Sequence, residues 1–136
     1  MGFGTAISTC WSKWAGFQGR ASRSEYWYWQ LFQWLAVVAL FALGEIVATA
    51  AGGLRTNVVA GLVFIAFLLV LMMPSIAVTV RRLHDLGFTG WLMLVCFIPY
   101  AGGIVLLVLM VTRGTRGPNR YGADSLDPLA DAAQRF

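Results

Sequence analysis

Charge is scarce in this chain. Of its 136 residues only 12% are Asp, Glu, Lys or Arg, about half the share of an ordinary soluble domain, while 59% are hydrophobic and the mean hydropathy is +0.72. Such a balance excludes water as the main solvent and points to lipid. Histidine occurs once and cysteine twice. A catalytic metal needs several ligands, and the only histidine, His84, is followed by an aspartate that points about 100° away on a helix, so the two cannot hold one ion from the same face. No CxxC, HExxH, GxSxG or phosphate-cradling glycine loop occurs. Neither enzyme nor cofactor chemistry is therefore expected, and no metal site. The first 20 residues lack the continuous apolar core and A-x-A-like site of a cleavable signal, so the first span is expected to act as an uncleaved address. Thr9 and the missing apolar run also argue against lipidation at Cys10 in "ISTC". Cys10 and Cys96 belong to segments at different depths and read as unpaired thiols that pack as small hydrophobes.

What the chain has is long stretches without charge. Between Glu25 and Arg55 only Glu45 intervenes, and the intervals Arg55–Arg81 and Asp85–Arg113 carry none. About 20 apolar residues suffice to cross a hydrocarbon core of roughly 30 Å as helix. The length allows one domain, 1–136, in which residues 1–21 form an interfacial helix and linker, 22–111 the membrane-embedded helices, and 112–136 a polar tail rich in Gly, Pro and Asp.

The expected fold is an all-α integral membrane protein. Ile7, Cys10, Trp11, Trp14 and Phe17 recur at helical spacing, which predicts a short amphipathic helix over 5–18, lying in the membrane interface or packed on the rest of the protein. Two full spans follow, at about 26–49 and 58–80. Ser22 and Glu25 have the spacing of a capping box at the head of the first, and Tyr26 to Trp34 form an aromatic belt at headgroup level. Gly44, Ala48 and Gly52 make a row on which another helix can approach closely. Glu45, beside that row, is an intramembrane acid and a functional candidate by default; snorkelling or pairing with Arg55 would also account for it. In the second span Pro74 frees a carbonyl that Ser75 or Thr79 can engage. Arg81, Arg82 and His84 crowd its last turn, where the helix dipole favours cations. Gly87 provides the left-handed stop, and Thr89 can cap what comes next.

The third apolar run, 91–111, admits two topologies. As one helix it is about 31 Å long, enough for a third full span. Its centre, however, is "IPYAGG", and breakage at Pro99 would give a re-entrant helical hairpin. The distribution of basic residues favours the hairpin, because Lys and Arg gather on the cytoplasmic side. With the hairpin, nine of the ten basic residues share the cytoplasmic side with the N-terminus; with a third span they divide five and five.

Three blocks, "GRASRSEYW" at 19–27, "RRLHDLGFTGW" at 81–91 and "GTRGPNRYG" at 114–122, together resemble the YhaH-like bacterial inner-membrane proteins grouped as domain of unknown function 805, over about residues 8–125. The resemblance implies a small helical protein of the bacterial inner membrane, multi-pass, with no established activity. That family's tail closes with Asp-Pro soon after Tyr-Gly, whereas "YGADSLDP" delays it here to Asp127 and Pro128.

In the hairpin topology the blocks meet on one face. Ser22, Glu25 and Asp85 then serve as caps and ion pairs, with Arg81 and Asp85 paired one turn apart. The arginines outnumber the acids and leave guanidinium groups for phosphate oxygens. Arg20, Arg23, Arg81, Arg82, His84 and Arg120 are accordingly the expected site for anionic lipid headgroups or a membrane partner. The chain reads as a non-enzymatic interaction or scaffold module whose partners are membrane lipids and a second copy or another membrane protein, with no nucleic acid. The alternative is an oligomeric small transporter or channel component that uses Glu45 and the broken third segment.

Overall fold

The computed structural model describes residues 2–51 and 53–126, the side chains of 54–56 excepted. Four α-helices and one 3-10 helix follow in order: α1 (Phe3–Ser12), α2 (Arg23–Ala51), α3 (Leu54–Asp85), a 3-10 arm (Gly90–Phe97) and α4 (Ala101–Val111). Among the described residues the only bridge of β type joins Asn119 and Gly122 in the tail.

α2 and α3 are long and apolar enough to cross a bilayer, and they contain the expected spans 26–49 and 58–80. Ser22 accepts the Glu25 amide at 3.2 Å, so half of the capping box forms. The reciprocal half does not, because the Glu25 carboxylate turns inward to Arg81. α3 runs unbroken through Pro74. Beside it, Ser75 donates to the Leu71 carbonyl and accepts from both Trp29 Nε1 and Gln33 Nε2. One hydroxyl thus joins α3 to α2, which explains how the fully buried Trp29 indole satisfies its donor.

α1 begins two residues earlier and ends six earlier than the periodicity of 5–18 predicts, because the chain turns back at Lys13, with the Gly16 amide bonded to its carbonyl. Its Ala6 and Cys10 are buried, and its rings meet α2 in the pairs Phe3–Tyr28 and Trp11–Trp29. Trp11, Trp14 and Phe17 remain exposed. The helix is therefore docked on the protein and also presents an aromatic face to its surroundings.

Gly87 takes φ +83° and stops α3, as expected. Thr89 precedes the 3-10 arm but caps it only through its carbonyl, not its side chain. The small-residue row is open at Gly44. A Cβ added at Gly44 would meet nothing within 4 Å, so no helix of this chain presses on it, and Gly52 lies outside the described residues.

The third apolar run is a hairpin. The first arm is 3-10 rather than α-helix, and length supplies a physical reason. Eight residues at 3-10 rise and eleven at α rise both give about 16 Å, so the stretched arm matches α4 and each reaches about half the hydrocarbon thickness. Between them Tyr100 adopts φ +64° and ψ −47°, and the Ala101 amide bonds to the Pro99 carbonyl at 2.7 Å. This is a positive-φ γ-turn, an uncommon and strained geometry. The arms touch at Gly102, where a Cβ would lie 2.0 Å from the Val95 carbonyl oxygen; at Gly103 it would meet nothing within 4 Å. The hairpin is held to the body by Met110, buried in one cluster with Cys10, Trp29, Leu71, Val78 and Leu83.

Gly102→Ala is expected to destabilise the fold by about 3 kcal/mol or more through overpacking against backbone, whereas Gly103→Ala should gain roughly 0.5–1 kcal/mol from helix propensity. Unfolding titrations of the two variants in mixed micelles will tell them apart. Equal effects would mean that the arms do not cross there.

Candidate functional site

Every buried charged residue among those described lies at one end of the helix bundle: Arg20, Glu25, Arg81, Arg82 and Asp85. An arginine cannot shed its charge, so each must find acceptors inside. Arg20 comes from the linker after α1, where Gly19 at φ +85° turns the chain and the Ala21 amide bonds to the Arg81 carbonyl at 3.0 Å. Its Nε donates to Asp85 Oδ1 at 2.9 Å, and its two terminal nitrogens donate to the carbonyls of Gly117 at 2.7 Å and Thr115 at 2.6 Å.

The last turn of α3 divides its arginines. Arg81, 0% exposed, turns to α2 and meets Glu25 Oε1 at 2.5 Å. Arg82, also 0% exposed, donates to Asp85 Oδ2 and to the Thr112 carbonyl. The expected Arg81–Asp85 pair is thus replaced by three others, since Glu25 lies across the helix interface and Asp85 is engaged by Arg20 and Arg82. Asp85 is the hub. Beyond its two arginines it accepts from Ser125 Oγ at 2.7 Å, and its main-chain oxygen takes both the amide and the hydroxyl of Thr115. Gly114 makes this approach feasible, because a Cβ there would sit 1.9 Å from Asp85 Oδ2.

The tail closes over this end. Asn119 donates to the His84 carbonyl at 3.0 Å, and Arg120 to the Gly87 carbonyl at 3.0 Å. Tyr121 stacks on His84 with ring centroids 3.9 Å apart and planes 5° from parallel, and the Arg120 guanidinium lies 4.7 Å from the Tyr121 ring centre. His84 Nδ1 is 3.2 Å from the Gly19 carbonyl, an acceptor only, so the ring donates from that nitrogen. Asp124 stands 3.8 Å from Arg20, and the amides of Leu126 and Gly117 hold its carboxyl below the usual carboxylate range.

The three sequence blocks therefore converge, and the hairpin brings the third to the other two. The expectation that Arg20, Arg81 and Arg82 offer free guanidinium groups needs correction: all three are buried, and each is paired with a carboxylate. The outward-facing cations at this end are Arg23, Arg113, Arg116 and Arg120. Arg23 donates to the Val111 carbonyl at 3.4 Å; Arg113 and Arg116 line a polar cavity of about 760 Å³ with Asp85 and Asp124. His84 is half-buried. Sequence reasoning missed Thr115, Ser125, Asp124 and Asn119; the spacing "GTRGPN" signals a turn but not that its carbonyls are arginine acceptors. Asp127 and Pro128 lie outside the described residues.

Chemically the arrangement neutralises and staples. Cys10 lies 3.7 Å from Glu25 Oε1, and burial, aided by that carboxylate, pushes its thiol up to about 12 despite Arg81 nearby, so it is an inert packing group rather than a nucleophile. Cys96 is also a free thiol. Arg81 Nε and Nη2 and Arg82 Nε have no hydrogen-bond partner among the described residues, a demand that buried water meets in other proteins. Glu45 is remote and exposed, about 30 Å along α2 from Glu25; it borders a groove with Asn57, and the Arg55 side chain is outside the described residues.

Two helices long and apolar enough to cross a bilayer, an apolar hairpin and an ion-pair cluster at one end define a small all-α membrane protein. The family described as "Protein of unknown function (DUF805)" matches residues 14–123, and the chain belongs to it. Similar proteins include the inner membrane protein YhaI of Escherichia coli K12, 38% identical over 109 residues, covering 80% of this chain and 85% of the relative. Inner membrane protein YhaH of the same strain is 36% identical over 117 residues, covering 83% and 90%. The uncharacterized protein YiiR of that strain is 30% identical over 137 residues, covering 82% and 86%. No solved structure matches.

Glu25→Gln strands Arg81 and is expected to cost about 3–5 kcal/mol, the range for breaking a buried pair. The double replacement Glu25→Leu with Arg81→Met should recover most of that loss. A double variant as unstable as the sum of the singles would show that the pair is not energetically coupled.

Proposed function

We infer that the protein is a non-enzymatic interaction module of the inner membrane, whose outward arginines hold anionic lipid headgroups. One observation carries this reading. Of the described acids at the charged end, Glu25 and Asp85 are buried in ion pairs and the partly exposed Asp124 stands 3.8 Å from Arg20, while the four arginines Arg23, Arg113, Arg116 and Arg120 are exposed. Internal neutralisation consumes the negative charge and leaves a net positive rim where the helices meet the headgroups. Each arginine near an anionic surface contributes about 1 kcal/mol, and the guanidinium fork suits phosphate oxygens.

In this reading the chain is multi-pass with its N-terminus, the α3–hairpin connection and residues 112–126 all cytoplasmic, in keeping with the accumulation of basic residues on that side. The exposed apolar flanks of α2 and α3 face lipid, a second copy or another membrane protein. The transporter reading has less support within one chain, since the Pro99 turn reaches about 16 Å from the charged end and Glu45 stands about 30 Å from it.

Spin-labelled phosphatidylglycerol and phosphatidylcholine in reconstituted vesicles measure the preference directly. A severalfold larger immobilised fraction is expected for phosphatidylglycerol at low salt, shrinking as salt rises and in the Arg23→Gln, Arg113→Gln, Arg116→Gln triple variant. Equal immobilisation of both lipids would sink the reading. Orientation is checked in a Cys96→Ser background: an impermeant maleimide should label Asn57→Cys from the periplasm and Arg116→Cys only from the cytoplasmic side.

A further inference from the structure

Beside the ion-pair cluster, between the end of α3 and the 3-10 arm, runs a groove of about 620 Å³, within the range of small-molecule sites. Phe17, Val80, Met93 and Leu94 give it apolar walls, and His84 and Tyr121 bound it at one end. Gly90 lines it too, and its lack of a side chain matters: a Cβ there would meet Val80 Cγ1 at 2.7 Å.

The two ends of the groove differ in chemistry. At the tail end the polar groups are fixed in place before any ligand arrives. Arg120 is held by its bond to the Gly87 carbonyl and by the Tyr121 ring, so less side-chain freedom is lost on binding an anion. The His84 ring is held by Gly19 and by stacking on Tyr121, which fixes the Tyr121 ring that carries the Arg120 guanidinium. At the other end the groove continues along the hairpin's first arm, where Trp91 is 80% exposed and Leu94 is also exposed, on the surface that enters the bilayer. Glu25 and Asp85 are committed inside the cluster, and the Arg120 guanidinium lies against the ring of Tyr121, which lines the groove.

A ligand that complements both ends must carry an anionic oxygen group and a hydrocarbon portion. We propose that the groove seats one anionic phospholipid, its phosphate at Arg120 beside Tyr121 and the upper part of one acyl chain along Val80, Met93 and Leu94. The proposal rests on the reading of this end as the headgroup-facing side and adds a specific seat to it. The diffuse rim of Arg23, Arg113 and Arg116 attracts anionic lipid without selecting a position; the groove fixes one molecule.

The test is native mass spectrometry of the full chain released from vesicles of equal phosphatidylglycerol and phosphatidylcholine. Wild type should retain one phosphatidylglycerol per chain. Arg120→Gln, a change at an exposed side chain, should lower retention about tenfold, as expected for loss of a charge-assisted phosphate contact. Leu94→Trp, which fills the groove without altering charge, should lower it comparably, with thermal midpoints confirming that both variants fold. Arg113→Gln with Arg116→Gln should leave the retained lipid in place. If phosphatidylglycerol is retained but only the Arg113, Arg116 double variant loses it, the seat is wrong and the general basic rim stands. Equal retention of both lipids overturns the seat and the rim together. Displacement by millimolar glycerol 3-phosphate would show that the site takes a free phosphate ester, and the lipid seat falls.

Discussion

A guanidinium group keeps its proton in any protein environment, so placing Arg20, Arg81 and Arg82 out of water obliges the chain to bring acceptors to them. Two carboxylates cannot saturate three such groups. The remaining acceptors are main-chain carbonyls of Thr112, Thr115 and Gly117, all from beyond the third apolar run. The tail must therefore return to the side from which the chain set out, and a single third span would prevent it. The hairpin, its matched arms, the γ-turn at Tyr100 and the close approach at Gly102 all follow from that requirement.

The same constraint accounts for the division between buried and exposed cations. Arginines that reach a buried carboxylate are drawn inside; Arg23 and Arg120, which donate to main-chain carbonyls, stay on the rim. Stability and surface potential are thus two results of one arrangement, and a substitution in the buried set should disturb both.

Much of this was legible in the sequence. Uncharged runs located α2 and α3, the basic-residue distribution favoured the hairpin, and Gly87 marked the end of α3. Pairings were harder to read. Arg81 and Asp85 have helical spacing, but a partner four residues away competes with Glu25 across the helix interface, which spacing along one helix cannot reveal. The roles of Thr115 and Ser125 were hidden for a similar reason, since turn carbonyls and hydroxyls carry no sequence signature until the turn is placed.

Because the hairpin stops about halfway, the molecule does not have the same girth at every depth. In the membrane placement proposed above, one leaflet would make room for α2, α3, both hairpin arms and the docked α1, and the opposite leaflet for the α2–α3 pair, whose most apolar stretch on α2 has no buried residue. The protein is a wedge. It displaces more lipid area on the charged side than on the other, so many copies placed in a flat bilayer would expand one monolayer relative to its partner and favour a membrane that bows toward the arginine-rich face.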